Sequence, residues 1–251
     1  MEDPFPIAPF TSPCQGKALV PGSKSITNRA LLLAALGDDK VNLMGALFSD
    51  DTRIMIDALR MLGFNISTEE ENAKIIVNGL SGEIPKATAD IFVGNAGTVA
   101  RFLTASLCLR WGGKYRIDGT KAMRNRPMRG LLDAMQCLGG HASHEEVNGR
   151  FPFILKTSGA KGGKWEVDAK ESSQILSALI MIAPLAEGDV TIILEGETVS
   201  KPFVSMTLEM CKQFMGGNSV FSVTENRYET KVSKAYSLGA ENYQIEADAT
   251  A

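Results

Sequence analysis

The fold is decided by three stretches of one pattern: SITNRALLLAAL at residues 25–36, NAGTVARFLTASL at 95–107 and SSQILSALIMIA at 172–183. Each stretch begins with Ser or Asn, which cap helix N-termini well, and continues mainly with Ala, Leu and Ile. The pattern predicts three helices that are apolar on nearly every face. A helix of this kind belongs in the interior of a domain, enclosed by other elements.

A second helical pattern follows each of these stretches, at residues 51–62, 127–138 and 202–215. All three patterns end at a glycine, a common helix stop, and the glycines recur at intervals of 76 and 77 residues: Gly63, Gly139 and Gly216. The regular interval indicates an internal repeat that contains two helices per unit.

Strand patterns occupy the gaps between these helices. Five segments are rich in β-branched or aromatic residues: 73–78, 114–118, 151–156, 190–195 and 228–232. We therefore predict an α/β fold, a threefold repeat of βαβαββ units with inner helices and outer sheets. The N-termini of the three inner helices then meet at one end of the domain.

Composition excludes several classes of protein. The chain has 251 residues, of which 44% are hydrophobic, and a formal charge of -3 from 26 basic and 29 acidic residues. A disordered segment or a nucleic-acid-binding protein is not expected from these values. The longest apolar runs are shorter than the ~20 residues of a membrane span, and the acidic N-terminus is unlike a signal peptide. We expect no membrane partner and a cytoplasmic location.

Cysteine and histidine are sparse and badly spaced for metal binding. The four cysteines show no C-x-x-C spacing, and the two histidines, His141 and His144, have no Cys close to them. We expect free thiols in a reducing compartment, solvated imidazoles and no metal site.

Polar side chains are concentrated where the three inner helices begin. In chain order they are Lys24, Ser25, Arg29, Asn95, Thr98, Ser172, Ser173 and Gln174, and Gly97, which lacks a Cβ, lets a ligand approach the backbone closely. A helix N-terminus offers free backbone N–H groups and the positive end of the helix dipole, so it attracts anions. An ordinary capped helix explains each start taken singly. The three starts together predict one anion-binding site.

Two further cations precede prolines at the expected starts of second helices, Arg126 before Pro127 and Lys201 before Pro202. Proline is common at the first helical position, where the helix dipole disfavours a cation. We therefore expect both cations to serve a ligand. With Lys24 and Arg29 they favour a small substrate that carries phosphate and carboxylate groups.

Six motifs in matching order resemble those of the 5-enolpyruvylshikimate-3-phosphate synthase family: PGSKS with NR within residues 21–29, SDD at 49–51, GNAGT at 94–98, RPM at 126–128, SSQ at 172–174 and VSKP at 199–202. The resemblance runs from about residue 13 to the end of the sequence. It implies transfer of an enolpyruvyl group from phosphoenolpyruvate to the 5-hydroxyl of shikimate 3-phosphate, a step towards chorismate and the aromatic amino acids. No metal or organic cofactor is implied.

The resemblance also implies a domain organisation. The family fold, an inside-out barrel, has two similar domains of three repeated units that close around the substrates. Residues 1–20 would join the second domain, residues 21–240 would form the shikimate-3-phosphate-binding domain, and residues 241–251 would begin the second domain. That second domain is therefore an expected partner.

The shikimate 3-phosphate contacts follow from the motifs that match. Ser25 and Arg29 would meet this substrate, and Lys24, the expected catalytic residue, would lie near both substrates. Its phosphate and ring would be surrounded by Ser172, Ser173, Gln174 and Ser200.

The phosphoenolpyruvate contacts come from two other motifs. Gly97 and Arg126 would face this substrate, while Asn95 and Thr98 shape the turn. Asp51 would act as a partner that holds the basic residues in place.

Three departures from the family pattern qualify the resemblance. The acid/base carboxylates and further cations of the family belong to the second domain, so the chain alone is expected to be inactive. Phe203 stands where relatives often have Tyr, which removes a hydroxyl contact. Phe102 replaces a Pro often found after the arginine of this helix, which would shift the helix and alter inhibitor response.

Two alternatives remain open. A UDP-sugar enolpyruvyl transferase would share the fold and the reaction, but that group has Lys-Asn in place of Lys24-Ser25 and usually a reactive Cys in a mobile loop. No cysteine lies between Arg110 and Gln136. A non-catalytic half-protein or isolated domain would only bind shikimate 3-phosphate. Assaying activity with and without a second domain distinguishes it from an enzyme.

Overall fold

The computed structural model describes residues 9, 11–13, 15–16, 20–233 and 235–248. The first repeat contains α1 (Lys24–Ala35), β1 (Lys40–Met44), α2 (Asp50–Met61), β2 (Asn65–Glu69) and β3 (Lys74–Asn78). The second contains β4 (Thr88–Phe92), α3 (Gly97–Ser106), β5 (Trp111–Asp118), α4 (Lys121–Arg124), α5 (Arg129–Cys137), β6 (Gly140–His144) and β7 (Phe153–Ser158). The third contains β8 (Gly163–Val167), α6 (Ser173–Ile182), β9 (Val190–Leu194), α7 (Lys201–Gln213), β10 (Phe221–Thr224) and β11 (Arg227–Thr230), and β12 (Asn242–Gln244) follows it.

Each repeat has its own four-stranded sheet. The strand orders are β12-β1-β3-β2, β4-β5-β7-β6 and β8-β9-β11-β10. In every sheet the first two strands run parallel, and the remaining pairs are antiparallel. The predicted α/β fold with three βαβαββ units is confirmed.

The inner helices are α1, α3 and α6, as the all-round apolar pattern predicts. Every residue of α1 from Ile26 to Ala35 is buried, and α3 and α6 are buried along almost their whole length. They pack on one another inside the three sheets and share one continuous apolar core. Their starts consequently lie at one end of the molecule. Within the described residues, no helix combines the length and apolar character needed to cross a membrane.

The five predicted strand segments do not include β1, β2, β4, β6, β8, β10 or β12. β2, β6 and β10 read NISTE, GHASH and FSVT, and each lies at the edge of its sheet with most of its residues at least partly exposed. An edge strand needs few apolar residues because only one of its sides is hydrogen-bonded. Such strands give little sequence signal.

β12 takes the place in the first sheet that β4 and β8 hold in the others. It pairs in parallel with β1, with Asn42 opposite Asn242 and Met44 opposite Gln244. Residues 242–244 fall in the segment that we expected to begin a second domain, yet they complete the first sheet. The predicted boundaries at residues 20 and 240 stay a prediction, and most of residues 1–20 lies outside the described residues.

A chain that ends at residue 240 is expected to be less stable than the 251-residue chain. The shorter chain loses Ile245, which is 2% exposed, and the Tyr243 ring that packs 4.9 Å from the ring of Phe214. Burying one such aliphatic side chain contributes about 1.5–3 kcal/mol, so Tm should fall by roughly 5 °C or more. Thermal melts followed by near-UV circular dichroism measure the difference, with a chain ending at residue 248 as the control. Equal Tm values for all three chains would contradict the structural role of β12.

Candidate anion-binding site

A pocket of about 230 Å³ lies at the starts of α1, α3, α6 and α7. It is lined by Ser25, Arg29, Thr98, Glu171, Ser172, Ser173, Gln174, Val199, Ser200 and Phe203. The structure thus brings together predicted residues from all three repeats. Lys24, Asn95, Gly97 and Arg126 do not line this pocket. Lys24 and Gly97 are sequence neighbours of the lining residues Ser25 and Thr98, and Arg126 contacts Gly97 and Asn95.

Arg29 forms the buried floor of the pocket. Arg29 is only 2% exposed. Its guanidinium donates from Nε to Thr207 Oγ1 at 2.7 Å and from Nη1 to the Ser25 carbonyl at 3.0 Å. Nη2 donates to Ser177 Oγ at 3.3 Å and to the Phe203 carbonyl at 3.4 Å. Guanidinium has five N–H donors, so these bonds leave one Nη1 hydrogen for a ligand.

No carboxylate pairs with Arg29 anywhere in the described part of the chain. Burial lowers the pKa of Arg29 to about 10, and the nearby Cys211 opposes that shift only partly. The side chain therefore stays cationic at neutral pH without a neutralising partner. A buried cation in this state strongly favours an anionic ligand.

Hydroxyl and amide groups surround this cation. Ser172 caps α6, where its side chain accepts a hydrogen bond from the Gln174 backbone N–H at 3.2 Å. The Gln174 amide donates from Nε2 to Thr98 Oγ1 at 2.9 Å, and its buried Oε1 has no partner among the described residues. These contacts join the start of α6 to the start of α3.

Ser200 has an unusual backbone for a non-glycine residue. Its φ and ψ are 54° and 48°, in the left-handed region, directly before the first residue of α7. Its side chain caps no helix and it lines the pocket instead. Backbone strain of this kind costs on the order of 1–3 kcal/mol and is concentrated at ligand-binding sites.

Lys24 and Asp51 form an ion pair close to the start of α1. Lys24 Nζ lies 3.7 Å from Asp51 Oδ2, and the two side chains are 50% and 27% exposed. Lys24 is the first residue of α1, whereas Asp51 belongs to the first turn of α2. The expected partnership between Asp51 and a basic residue is present as a direct contact.

A second cluster joins Gly97 to Arg126. A methyl group on Gly97 would lie only 2.5 Å from Arg126 Nη1 and 2.7 Å from its Cζ, so the guanidinium rests directly on the glycine backbone. Arg126 Nη1 also donates to the Asn95 carbonyl at 3.5 Å. Gly97 is the first residue of α3 and Thr98 is the second, so this helix start links the pocket to the Arg126 cluster.

The helix-dipole argument fails for Arg126, and Lys201 does not line the anion pocket. α5 begins at Arg129, not at Pro127, and the Arg126 backbone N–H donates to the Met123 carbonyl at the end of α4. The dipole penalty expected for Arg126 is therefore not present. Lys201 does begin α7, but it pairs with Glu197 at 3.5 Å and lines a different cleft.

Arg101 was missed as a candidate although it anchors the Gly97–Arg126 cluster. It is 2% exposed and donates to the Gly97 carbonyl at 3.0 Å and to the Pro127 carbonyl at 2.7 Å. Burial, together with the charge of Arg126, lowers the pKa of Arg101 to about 10, and the charge of Glu171 opposes this shift. Its position four residues after Gly97 was the available signal, because residues at that spacing share a helix face.

Of the remaining lining residues, Glu171 and Val199 were not predicted, and Phe203 was considered only as a departure from the family pattern. Val199 and Phe203 supply apolar walls, and Glu171 places a carboxylate at the edge. Within the described ranges, no group of three or more His, Cys, Asp or Glu side chains is placed to hold a metal ion. The arrangement suits an anion that also carries hydroxyl groups.

Comparisons with known proteins agree with the motifs. A family model described as EPSP synthase (3-phosphoshikimate 1-carboxyvinyltransferase) matches residues 10–251. A curated 3-phosphoshikimate 1-carboxyvinyltransferase of Opitutus terrae is 45% identical, with 100% of this chain and 58% of the relative covered. One from Actinobacillus pleuropneumoniae is 41% identical, with 97% and 56% covered. The chain thus spans about half the length of the curated relatives it matches.

A solved structure of EPSP synthase from Acinetobacter baumannii has the same fold. It superposes with a TM-score of 0.77 at 23% identity, covering 93% of this chain and 50% of that chain.

Proposed function

The chain belongs to the EPSP synthase family, and we propose that it supplies one half of an active site that transfers an enolpyruvyl group from phosphoenolpyruvate to shikimate 3-phosphate. The observation that carries this proposal is the buried Arg29, an unpaired cation under a pocket of hydroxyl and amide groups. A ligand with both anionic and hydroxyl groups matches these donors and acceptors.

Shikimate 3-phosphate is assigned to the pocket itself. Its phosphate would accept hydrogen bonds from the Ser172, Ser173 and Ser200 hydroxyls, close to the positive end of α6. The orphaned Gln174 Oε1 would accept from a ring hydroxyl. The free hydrogen on Arg29 Nη1, with Ser25 beside it, would contact the ring substituents and carboxylate.

Phosphoenolpyruvate is assigned to the Gly97–Arg126 cluster. The Arg126 guanidinium suits a carboxylate or phosphate bidentately, and Gly97 leaves room for this guanidinium against the backbone. Asn95 and Thr98 shape this helix start. Lys24, held by Asp51 at 3.7 Å, would act between the two substrates as the catalytic cation.

The transfer forms a bond between the 5-hydroxyl oxygen of shikimate 3-phosphate and the phosphate-bearing carbon of phosphoenolpyruvate. The bond between that carbon and the phosphate oxygen breaks, and the released phosphate carries, on balance, the hydroxyl proton. Lys24 and Arg126 would stabilise negative charge on the reacting groups. The carboxylates that move protons are expected in a second domain, which is therefore a required partner. Neither a metal, an organic cofactor, a nucleic acid nor a membrane has a part in this proposal.

A cytoplasmic location belongs to the same proposal. Cys108, Cys137 and Cys211 are free thiols, as expected in a reducing compartment.

The 251-residue chain is expected to bind shikimate 3-phosphate weakly and to show no turnover alone. Binding is measured by the rise in Tm with ligand concentration, which follows from ligand linkage to the folded state. Activity, measured as phosphate release, should appear when the remaining half of the Opitutus terrae relative is added. A UDP-sugar should neither raise Tm nor act as acceptor.

Two results would contradict the proposal. A chain that melts cooperatively without responding to shikimate 3-phosphate would remove the pocket assignment. Binding without activity after addition of several second halves would favour the non-catalytic alternative.

A further inference from the structure

Arg126 is held in place only weakly by its own side chain. The guanidinium forms one long hydrogen bond, 3.5 Å to the Asn95 carbonyl, and no ion pair with any described residue. Its remaining contact is the face of Gly97. With so few side-chain contacts, the backbone on either side of Arg126 sets the point from which its guanidinium reaches Gly97 and Asn95.

Two arginine contacts anchor that backbone. On the downstream side, Arg101 Nη2 donates to the Pro127 carbonyl at 2.7 Å. On the upstream side, Arg124 is the last residue of α4 and contacts Asp118, the last residue of β5. Arg126 follows Asn125, the C-cap of α4, and its backbone N–H donates to the Met123 carbonyl at 2.9 Å, which ties its backbone to the end of α4.

The Asp118 carboxylate is 10% exposed and uses both of its oxygens. Oδ1 accepts from the Gly119 backbone N–H at 2.7 Å and from Arg124 Nε at 2.9 Å. Oδ2 accepts from Arg124 Nη2 at 2.6 Å and from Arg116 Nη2 at 3.4 Å. The Arg124 contact is thus a bidentate one, which fixes orientation as well as distance.

Charge and burial agree with an anchoring role. Burial disfavours the ionised carboxyl, but hydrogen bonds from Arg124 and Gly119, with the charges of Arg124 and Arg116, hold the pKa of Asp118 below its usual value. The carboxylate is therefore ionised at neutral pH. Arg124 is also held from the other side, since its Nη1 donates to Glu146 Oε1 at 2.7 Å.

The same turn interlocks with the loop before α3. The Thr120 backbone N–H donates to the Gly94 carbonyl at 2.9 Å, and a methyl group on Gly119 would come 2.8 Å from that carbonyl oxygen. Movement at residues 119–124 therefore changes the position of Arg126 relative to Asn95 and Gly97.

We infer that Asp118 is a positioning residue for phosphoenolpyruvate binding, which acts by fixing α4 through Arg124 and thereby holding the Arg126 guanidinium against Gly97. The inference rests on the proposed function for the identity of the ligand. The positioning itself depends only on the contacts between these residues.

The test compares Asp118→Asn with Asp90→Asn in the 251-residue chain. Asp90 also pairs with Arg116, at 3.4 Å, but its side chain is 70% exposed and, within the described ranges, forms no ion pair with Arg124. Modification of Arg126 by phenylglyoxal, followed by peptide mass, should be at least fivefold faster in Asp118→Asn than in the wild-type chain. Asp90→Asn should stay within twofold, and the modification rate of Arg129, which is 75% exposed, should not change.

A second variant tests the route through α4. Arg124→Gln removes a side chain that is 35% exposed, so folding should survive, and it should accelerate Arg126 modification as Asp118→Asn does. Combined in one chain, the two substitutions should have little more effect than either alone, because they break the same contact. Tm within a few degrees of the wild type shows that the effect is local.

Kinetics with the added second half of the relative give the functional result. The KM for phosphoenolpyruvate should rise at least tenfold in Asp118→Asn, with the KM for shikimate 3-phosphate within twofold. Unchanged Arg126 reactivity in both variants would overturn the inference, as would increased reactivity with an unchanged phosphoenolpyruvate KM. If the wild-type pair shows no turnover, the proposed function fails, and the modification rates alone decide whether Asp118 positions Arg126.

Discussion

Gly97→Ala is expected to weaken phosphoenolpyruvate binding by roughly 10- to 100-fold while shikimate 3-phosphate binding stays within about threefold. The added methyl group would lie 2.5 Å from Arg126 Nη1, a distance that real Cβ contacts do not show. The guanidinium is the flexible end of a long side chain, so it moves away and the helix does not. Loss of a charged hydrogen-bonded contact of about 1.5–3 kcal/mol accounts for the expected change.

The measurement is a pair of KM values in the chain complemented with the remaining half of the Opitutus terrae relative. Gly188→Ala is the matched control, because a methyl group there would meet only an ordinary contact at 3.7 Å. Arg126→Ala with Gly97→Ala should bind phosphoenolpyruvate no worse than Arg126→Ala alone, since alanine at position 97 acts through that side chain. Equal losses for both substrates, with a lower Tm, would indicate a general folding defect.

The fold was predictable because its decisive feature is a local one. Helices such as 25–36 and 172–183 carry almost no polar residue after the first turn, so they can only lie inside the protein. Their threefold repetition then determines the architecture. The pairing of β12 with β1 was not predictable, because this pairing joins residues about 200 positions apart and β12 has only three residues.

The candidate site likewise has a part that could be predicted from the sequence and a part that could not. Ser25, Thr98 and Ser172 were predictable because they belong to the helix starts that the repeat brings together. The contacts that hold the backbone around Arg126 were not predictable, since they depend on where α4 ends and α5 begins. A proline two residues before the true start of α5 gave a helix boundary that was wrong by two positions, and with it a dipole argument that does not apply.

The residue types around Arg29 do not reveal the free-energy cost of burying its guanidinium. The sequence predicts a cation near an anion, but only the structure shows a guanidinium at 2% exposure with the Phe102 ring 5.1 Å from its Cζ and no carboxylate partner. Desolvation of this unpaired cation destabilises the ligand-free chain, because the cost is not repaid by an opposite charge. The bound anion would supply that charge.

Arg29→Met is accordingly expected to leave the stability of the ligand-free chain unchanged or higher, by up to about 4 kcal/mol, while shikimate 3-phosphate binding falls by about 100-fold or more. The stability gain should be present at neutral pH and should shrink as pH rises above about 10, the folded-state pKa of Arg29. Between that value and the unfolded-state pKa near 12.5, the unfolded chain binds more protons, so the wild type gains stability with pH while the variant does not. The remaining partners stay satisfied, because Thr207 Oγ1 also contacts Ser177 Oγ at 3.0 Å and the Phe203 carbonyl at 2.8 Å.

Thermal melts with and without shikimate 3-phosphate, at several pH values, test this expectation. Arg53→Met serves as the control, since Arg53 lies on α2 with a 47% exposed side chain and pairs with Glu70 outside the pocket. That variant should keep the full ligand-induced rise in Tm. Arg29→Lys should recover only part of the binding, because an ammonium cannot reproduce the bonds of a planar fork. A large loss of stability in Arg29→Met, together with an intact ligand response, would make Arg29 a structural residue and move the anion site elsewhere.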